Sequence, residues 1–155
     1  MTPGPEFRFG PAGPEDLERL ATLRAAAMRE SLERIGRFDP DRAYRRMVDQ
    51  YRPEHTRLIH TDDRLAGCVA MGPGTAGALR LEHFYLEPAI QGRGLGSAVL
   101  HALLAEADAA GTAVELSVVH ESPAHRFYQR FGFVETGRDA TDIYYRRAPS
   151  APRPG

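Results

Sequence analysis

A glycine-rich hexapeptide lies between a strand-like and a helix-like segment, and its spacing suits phosphate binding. It consists of Gln91, Gly92, Arg93, Gly94, Leu95 and Gly96. Alternating glycines remove side chains where a ligand must approach the backbone. The helix that follows offers unpaired N–H groups and the positive end of its dipole, which together suit a pyrophosphate. A plain tight turn has the same composition, so the segment alone leaves both interpretations open.

Two common nucleotide-binding motifs do not match this hexapeptide. A nucleotide-hydrolysing P-loop would end in Gly-Lys-Ser or Gly-Lys-Thr, which the segment lacks. In the dinucleotide fingerprint the third glycine comes three residues after the second, whereas Gly96 comes two residues after Gly94. The turn also follows several earlier elements instead of opening the domain. Both of these protein classes are therefore disfavoured.

The elements that must position this turn alternate between strands and helices. Apolar residues at helical spacing predict helices at residues 14–35, 40–51, 94–110 and from Ser122 to near Gly132, and three of the four have a proline near the start. Alternating or continuous apolar runs predict strands at residues 7–9, 56–60, 65–71, 79–86, 114–119, 133–136 and 142–147. The order β, α, α, β, β, β, α, β, α, β, β is typical of a mixed α/β sheet with helices packed on it.

Length and composition are those of one globular domain. The chain has 155 residues, of which 26% are charged, and its net charge of −1 argues against nucleic acid as the main partner. No apolar run approaches the roughly 18 residues of a membrane span, and no signal peptide is found. We therefore expect a cytoplasmic protein without a membrane partner. Residues 1–147 are assigned to a single domain and the proline-rich residues 148–155 to a flexible tail.

Two motifs together resemble the GNAT superfamily of N-acetyltransferases. Gln91, Gly94 and Gly96 match the family signature Gln/Arg-x-x-Gly-x-Gly/Ala at the start of a helix, in register. Residues 124–133 resemble the family segment Ala-x-x-Phe-Tyr-x-x-x-Gly-Phe, and residues 85–88 look like the lead-in from its fourth strand. The order of elements also matches, so the resemblance extends over about residues 7–147.

The resemblance implies a fold and a co-substrate. The fold is a mixed, largely antiparallel sheet of about six to seven strands with helices on both faces and with splayed fourth and fifth strands. The co-substrate is acetyl-CoA, with its pyrophosphate on the glycine-rich turn and its pantetheine arm along the fourth strand, where a backbone N–H near Leu86 stabilises the thioester oxygen. The cofactor-binding residues carried over are Phe84, Leu86, Gln91, Gly92, Arg93, Gly94, Leu95, Gly96, Ser97 and Glu121. Glu121 departs from the pattern, because the family often has asparagine there.

Glu82 and Tyr128 are the catalytic residues that the resemblance implies. A lysine-like amine is mostly protonated at pH 7 and must lose a proton before it attacks a thioester. Glu82 matches a position at which arylalkylamine-type relatives place a base. The alternative is an ion pair with Arg80, because residues two apart on a strand share a face. Tyr128 matches the family's acid, which protonates the departing thiolate; the alternative is a core tyrosine with a hydrogen-bonded hydroxyl.

Other polar side chains receive structural interpretations. Cys68, the single cysteine, lies in an apolar strand, which predicts a buried inert thiol and not an acyl-carrying nucleophile. His83 is predicted to be a packed histidine on the face opposite Glu82. No metal site is expected, because His120 and His125 have no partner at the spacing of ligands.

The first two predicted helices are rich in arginines interleaved with carboxylates. This pattern predicts a solvated, ion-paired helix face. As an alternative, residues 29–33 form a wall of the acceptor site, as these helices do in relatives. The arginines concerned are Arg24, Arg29, Arg34, Arg37, Arg42, Arg45 and Arg46.

Two other functions remain open. The first is a non-catalytic acyl-CoA-binding sensor or interaction module, which the presence of both Glu82 and Tyr128 disfavours. The second is an acyltransferase acting on protein N-termini or on charged tRNA, and the near-neutral charge disfavours the tRNA substrate. The expected partner is a small-molecule or peptide amine. A homodimer is the common default for soluble proteins that assemble.

Overall fold

The computed structural model describes residues 6–34, 36 and 39–150 and contains the predicted order of elements. The strands are β1 (Arg8–Pro11), β2 (Thr56–Thr61), β3 (Arg64–Pro73), β4 (Leu79–Leu86), β5 (Val114–Val119), β6 (Val134–Arg138) and β7 (Asp142–Arg147). The helices are α1 (Leu17–Arg34), α2 (Pro40–Gln50), α3 (Leu95–Ala109) and α4 (His125–Arg130).

The predicted bounds agree closely with these elements, with two exceptions. Pro14–Asp16 forms a turn of 3-10 helix before α1, and Ile35, the predicted end of that helix, lies outside the described residues. Helix α4 begins three residues later than predicted. The hydroxyl of Ser122 accepts a hydrogen bond from the N–H of Ala124 at 3.1 Å, so Ser122 stabilises a turn ahead of the helix and not the helix itself.

The seven strands form one mixed sheet in the order β1-β2-β3-β4-β5-β7-β6. Strand β2 pairs antiparallel with β1 and β3, and β7 pairs antiparallel with β5 and β6. Strands β4 and β5 are parallel, and their ladder joins Leu79 to Val114 and Arg80 to Glu115. A parallel ladder this short is expected when two strands splay apart. The predicted fold class is confirmed.

The described residues divide into two compact units, each with its own buried residues. The first unit comprises residues up to Ala70 together with His83–Ala98, and its core includes Leu20, Met47, Leu58 and Cys68. The second comprises Met71–Glu82 and residues from Val99 onward, and it buries Val99, Leu103, Val114, Leu116 and Tyr145. The assignment of residues 1–147 to a single domain stays a prediction.

Local sequence signals account for several chain reversals and helix ends. The β2–β3 turn has left-handed backbone at both central residues, Asp62 (φ 47°) and Asp63 (φ 62°), which matches the twist of the flanking strands. Asp39 caps α2, because its side chain accepts hydrogen bonds from the N–H groups of Asp41 and Arg42. Both features depend on interactions between residues that are close in the sequence.

An ion pair joins α3 to β7 within the second unit. Arg147 donates from Nη1 to Asp108 Oδ1 at 2.8 Å and from Nη2 to Asp108 Oδ2 at 3.1 Å. The two side chains are only 13% and 24% exposed. The guanidinium holds the pKa of Asp108 below its usual value. The N–H of Ser150 also donates to Asp108 at 2.9 Å, so the predicted tail is held at this residue, whereas residues 151–155 lie outside the described residues.

Replacement of Asp108 by Asn is expected to lower the free energy of unfolding by about 1–2 kcal/mol at neutral pH. Because folding lowers the pKa of Asp108, the stabilisation is complete above the unfolded-state pKa of about 3.9 and is lost as the pH falls through the lower folded-state value. The difference between parent and variant should therefore narrow in acid, as measured by urea unfolding at several pH values. Glu30→Gln is the control, because its pair with Arg34 is exposed; an equal loss in both variants would contradict the prediction.

Candidate active site

The glycine-rich turn leads from β4 into α3, and its backbone adopts conformations that favour glycine. Gly92 has a φ of 81° and Gly94 a φ of 83°, in the left-handed region that other residues rarely occupy. A Cβ at Gly92 would have no neighbour within 4 Å. The Gly94 carbonyl accepts from the N–H of Ala98 at 3.1 Å, so Gly94 immediately precedes the helix and Gly96 lies inside it.

Six consecutive backbone N–H groups, from Gly92 to Ser97, have no acceptor within the described residues. The flanking groups are paired, since Gln91 N–H donates to Pro88 and Ala98 N–H to Gly94. Such a row at the start of a helix, with the positive end of its dipole, favours an anion. The residues present therefore fit the pyrophosphate of a coenzyme A derivative.

The side chains of the turn have different surroundings. Gln91 donates from Nε2 to the Leu86 carbonyl at 3.0 Å, which ties the turn to the end of β4. Leu95 is only 2% exposed, so its side chain lies in the core and is not accessible to a ligand. Arg93 and Ser97 are exposed and add a positive charge and a hydroxyl group to the turn.

The end of β4 presents two different edges. The N–H of Glu87 donates to the Ala66 carbonyl at 2.8 Å, on the side of β3. The Tyr85 carbonyl faces the same side. It lies so close to Gly67 that a Cβ on residue 67 would collide with the carbonyl oxygen of Tyr85. Because backbone polar groups alternate along a strand, Phe84 and Leu86 direct theirs to the opposite edge. These are the two residues assigned to the pantetheine arm, and the assignment stays a prediction.

His83 lies within β4 but has a left-handed backbone, with a φ of 50°. Such a conformation in a residue other than glycine costs of order 1–3 kcal/mol. Its carbonyl accepts a hydrogen bond from Cys68 Sγ at 3.3 Å, and its Nδ1 lies 3.3 Å from the Tyr85 hydroxyl. Cys68 is fully buried, and burial raises the pKa of its thiol to about 12. The predicted burial of Cys68 is confirmed, and its raised pKa disfavours the thiolate that a nucleophile requires.

Glu82 lies in the second unit with a side chain that is 41% exposed. Arg80 donates from Nε to Glu82 Oε2 at 3.4 Å and from Nη2 to Ser117 Oγ at 3.1 Å. The ion pair considered as the alternative role is therefore present. A partly exposed pair of this kind contributes about 0–1 kcal/mol to the stability, and a neighbouring guanidinium favours the charged form of the carboxylate, which makes it a weaker base.

Tyr128 lies on α4, also in the second unit. Its ring meets Phe127 and Phe133 edge-on, with centroid separations of 5.1 Å and 5.7 Å. The ring is partly buried, whereas Glu121, which precedes α4, is exposed. Packing on two aromatic rings restricts the orientation of Tyr128.

His125 anchors α4 at its first residue, a role that the sequence analysis did not predict. Its Nε2 lies 2.9 Å and 3.0 Å from the carbonyls of Val119 and His120, and its Nδ1 lies 2.7 Å from the Tyr145 hydroxyl. Since carbonyls only accept, Nε2 carries a proton. A six-residue helix has little stability of its own, so these contacts help to position Tyr128.

Arg24 does not lie on the solvated helix face that the sequence predicted. Its side chain is 5% exposed, and it donates to the Tyr85 hydroxyl at 3.0 Å and to the Ala43 carbonyl at 3.1 Å. The prediction is wrong for this residue because Arg24 follows Leu20 and Ala21 by four and three residues, on the apolar stripe of α1. That spacing was the missed signal.

The prediction is confirmed for other arginines of these helices. Arg29 pairs with Glu33 at 2.8 Å and Arg34 with Glu30 at 2.9 Å, all with exposed side chains. Arg37 lies outside the described residues. The arginines of α2 that are exposed are Arg42, Arg45 and Arg46.

Residues 6–34, 36 and 39–150 contain neither a candidate metal site nor a candidate membrane-spanning helix. No cluster of three or more His, Cys, Asp or Glu side chains in this part of the chain could hold a metal ion. None of the helices described there combines the length and the apolar character needed to cross a membrane.

In this mixed sheet, the glycine-rich turn joins β4, one strand of the parallel pair, to α3. The first N–H groups of α3 have no acceptor among the described residues. This is the architecture of an acyltransferase domain. The model of a family described as "Acetyltransferase (GNAT) domain" matches residues 23–143. The chain therefore belongs to the GNAT family of acetyltransferases.

Solved structures share this fold at low sequence identity. The PaiA N-acetyltransferase of Thermoplasma acidophilum, in complex with coenzyme A, is 18% identical with a TM-score of 0.75, and the match covers 92% of this chain and 99% of that one. An acetyltransferase of Thermus thermophilus is 21% identical with a TM-score of 0.73, over 92% and 96% of the two chains. A protein of Desulfovibrio desulfuricans assigned to the GNAT family is 26% identical with a TM-score of 0.62, over 92% and 98%.

Proposed function

We propose that the chain is an acetyl-CoA-dependent N-acetyltransferase that moves the acetyl group directly to a primary amine of a small molecule or peptide. The observation that carries the proposal is the row of N–H groups from Gly92 to Ser97, at the start of α3, that have no acceptor in the described part of the chain. Membership of the GNAT family supports acetyl-CoA as the pyrophosphate-containing ligand. A cytoplasmic location and a homodimer stay predictions.

In the proposed reaction Glu82 and Tyr128 exchange protons with the reactants. The acceptor ammonium loses a proton to Glu82, and the neutral amine attacks the thioester carbonyl carbon. A backbone N–H near Leu86 stabilises the negative oxygen of the tetrahedral intermediate. The C–S bond then breaks, and Tyr128 donates its phenolic proton to the thiolate. The nitrogen passes its second proton to the tyrosinate, which restores the phenol, and Glu82 releases its proton to solvent. A phenol with a pKa near 10 can supply a proton to a thiolate whose conjugate thiol has a pKa near 8.5.

The proposal is tested by binding and turnover in parallel. Acetyl-CoA should raise the melting temperature, since a ligand at 100 times its Kd adds about 2.7 kcal/mol to the stability. An acetyl thioester of cysteamine, which lacks the pyrophosphate, should not do so at the same concentration. Amine-dependent release of free thiol should follow with a panel of primary amines. Absence of acetyl-CoA binding, or thiol release that no amine accelerates, would contradict the proposal.

Replacement of Tyr128 by Phe is expected to lower kcat about 10²-fold with little change in the KM for acetyl-CoA, because it removes the proton donor and keeps the ring. The measurement is thiol release at saturating acetyl-CoA across a range of pH. Tyr144→Phe is a control that removes a phenol hydrogen-bonded to Asp139 on the β6–β7 turn, and its turnover should be normal. Normal turnover of Tyr128→Phe at every pH, with chemistry rate-limiting, would rule out the role.

A further inference from the structure

Arg24 is a buried cation that has no carboxylate partner among the described residues. Its side chain is 5% exposed, and its protein acceptors are the Tyr85 hydroxyl and the Ala43 carbonyl. The guanidinium carbon also lies 5.8 Å from the centroid of the Tyr85 ring. Throughout the described ranges, no Asp or Glu side chain forms an ion pair with Arg24.

The rest of the sequence has no side chain that could supply the missing anion. Residues 1–5, 35, 37–38 and 151–155 include neither aspartate nor glutamate. A buried guanidinium without a counter-charge is costly, because a carbonyl and a hydroxyl solvate it only in part. Its protein acceptors occupy two of its five N–H groups. Three N–H groups of Arg24 therefore have no acceptor within the described residues, and two of them suffice for the parallel hydrogen bonds that a carboxylate makes with arginine.

The position of Arg24 connects it to the proposed reaction. Tyr85, which accepts from Arg24 Nε, lies on β4 between Phe84 and Leu86, the residues assigned to the pantetheine arm. The Tyr85 hydroxyl also lies 3.3 Å from His83 Nδ1. An acid bound by Arg24 would thus lie beside the stretch of β4 along which the acetyl thioester is expected.

We propose that Arg24 binds a carboxylate of the acceptor, so that the acceptor is an amine that also carries an acid group, as a free amino acid does. The inference rests on the proposed function, because it identifies the acceptor of that same reaction. The substrate carboxylate would supply the counter-charge that the protein lacks. An amine of the same shape without the acid would leave the guanidinium unpaired, and the site would discriminate against it.

Matched acceptors test the proposal in the parent protein. We would measure thiol release with the common L-amino acids and with their carboxamides, at a pH high enough for both amines to be mostly free base. The best acid should exceed its amide about 10²-fold in kcat/KM. The same acid without its amino group should inhibit competitively against the acceptor, whereas its amide should not. Equal kcat/KM for acids and amides would overturn the proposal.

Variants of Arg24 test which residue carries this preference. Arg24→Gln should lower kcat/KM for the acid about 10²-fold and leave the amide nearly unchanged, and Arg24→Lys, which keeps the charge without the planar fork, should lie between. Arg19→Gln, an exposed arginine of the same helix, is the control. An acid preference that survives in Arg24→Gln, or a higher KM for acetyl-CoA alone, would overturn the proposal.

Acetyl-CoA binding separates this proposal from the proposed function. Suppose that acetyl-CoA raises the melting temperature, but that no amino acid is acetylated and none raises the melting temperature further. The proposal of an acid-bearing acceptor is then wrong, whereas the transferase proposal stands. If acetyl-CoA itself does not bind, the transferase proposal fails first. The competition between acids and amides uses only the parent protein, so it decides the question even if Arg24→Gln does not fold.

Discussion

Replacement of Glu82 by Gln is expected to lower kcat about 10²-fold at neutral pH, the usual size of a general-base contribution. Glutamine keeps the shape and the hydrogen-bonding reach of Glu82 but loses its proton affinity. The deficit should shrink as the pH rises, because more of the acceptor then arrives as free amine. The measurement is a pH–rate profile from about pH 6 to about pH 10, which includes the pKa of a lysine-like amine.

The ion pair with Arg80 makes a matched variant available for this test. Arg80 lies 3.4 Å from Glu82, so Arg80→Gln breaks the same pair while leaving the carboxylate in place. If Glu82 is only a partner of Arg80, both variants should lose the same small stability and keep normal kinetic constants. If Glu82 binds a cationic acceptor without taking its proton, Glu82→Gln should raise KM and leave kcat nearly intact. Identical pH–rate profiles with normal kcat would end the general-base hypothesis.

Replacement of Gly94 by Val is expected to raise the KM for acetyl-CoA about 10²-fold. Valine adds a branched side chain among the amides that are proposed to hold the pyrophosphate, and Gly94 has a φ of 83° that valine adopts only with strain. Loss of two charge-assisted hydrogen bonds at about 1.5–3 kcal/mol each is enough for this effect. The measurements are the KM for acetyl-CoA and the rise in melting temperature that acetyl-CoA produces.

Gly77 offers a control for the strain itself. It has a φ of 80° in the loop between β3 and β4, with open space around its would-be Cβ. Gly77→Val should therefore lose comparable stability and keep the parent's KM for acetyl-CoA. Gly96→Val adds a second test inside α3, away from the left-handed conformation. Parent-like binding by Gly94→Val or Gly96→Val would show that the pyrophosphate lies elsewhere.

The sequence by itself determined the order of the elements, most of their bounds and the position of the glycine-rich turn. These features depend on short-range physics: apolar periodicity, proline and aspartate at helix starts, and left-handed residues in turns. Strands β4, β5 and β7 were predicted with their observed bounds because their apolar runs end at clear breaks. The glycine-rich turn could be located because the spacing of its glycines and the helix that follows suffice to predict backbone N–H groups without intrahelical acceptors.

Only the tertiary structure decided which polar side chains are buried and what they contact. Arg24 and Arg29 look alike in the sequence, yet one is buried against Tyr85 and the other is exposed beside Glu33. The reason is that burial depends on which stripe of α1 packs against the rest of the first unit, and that packing is set by contacts distant in the chain. The left-handed backbone of His83 was also not predicted from the sequence, and its carbonyl accepts a hydrogen bond from Cys68 on another strand.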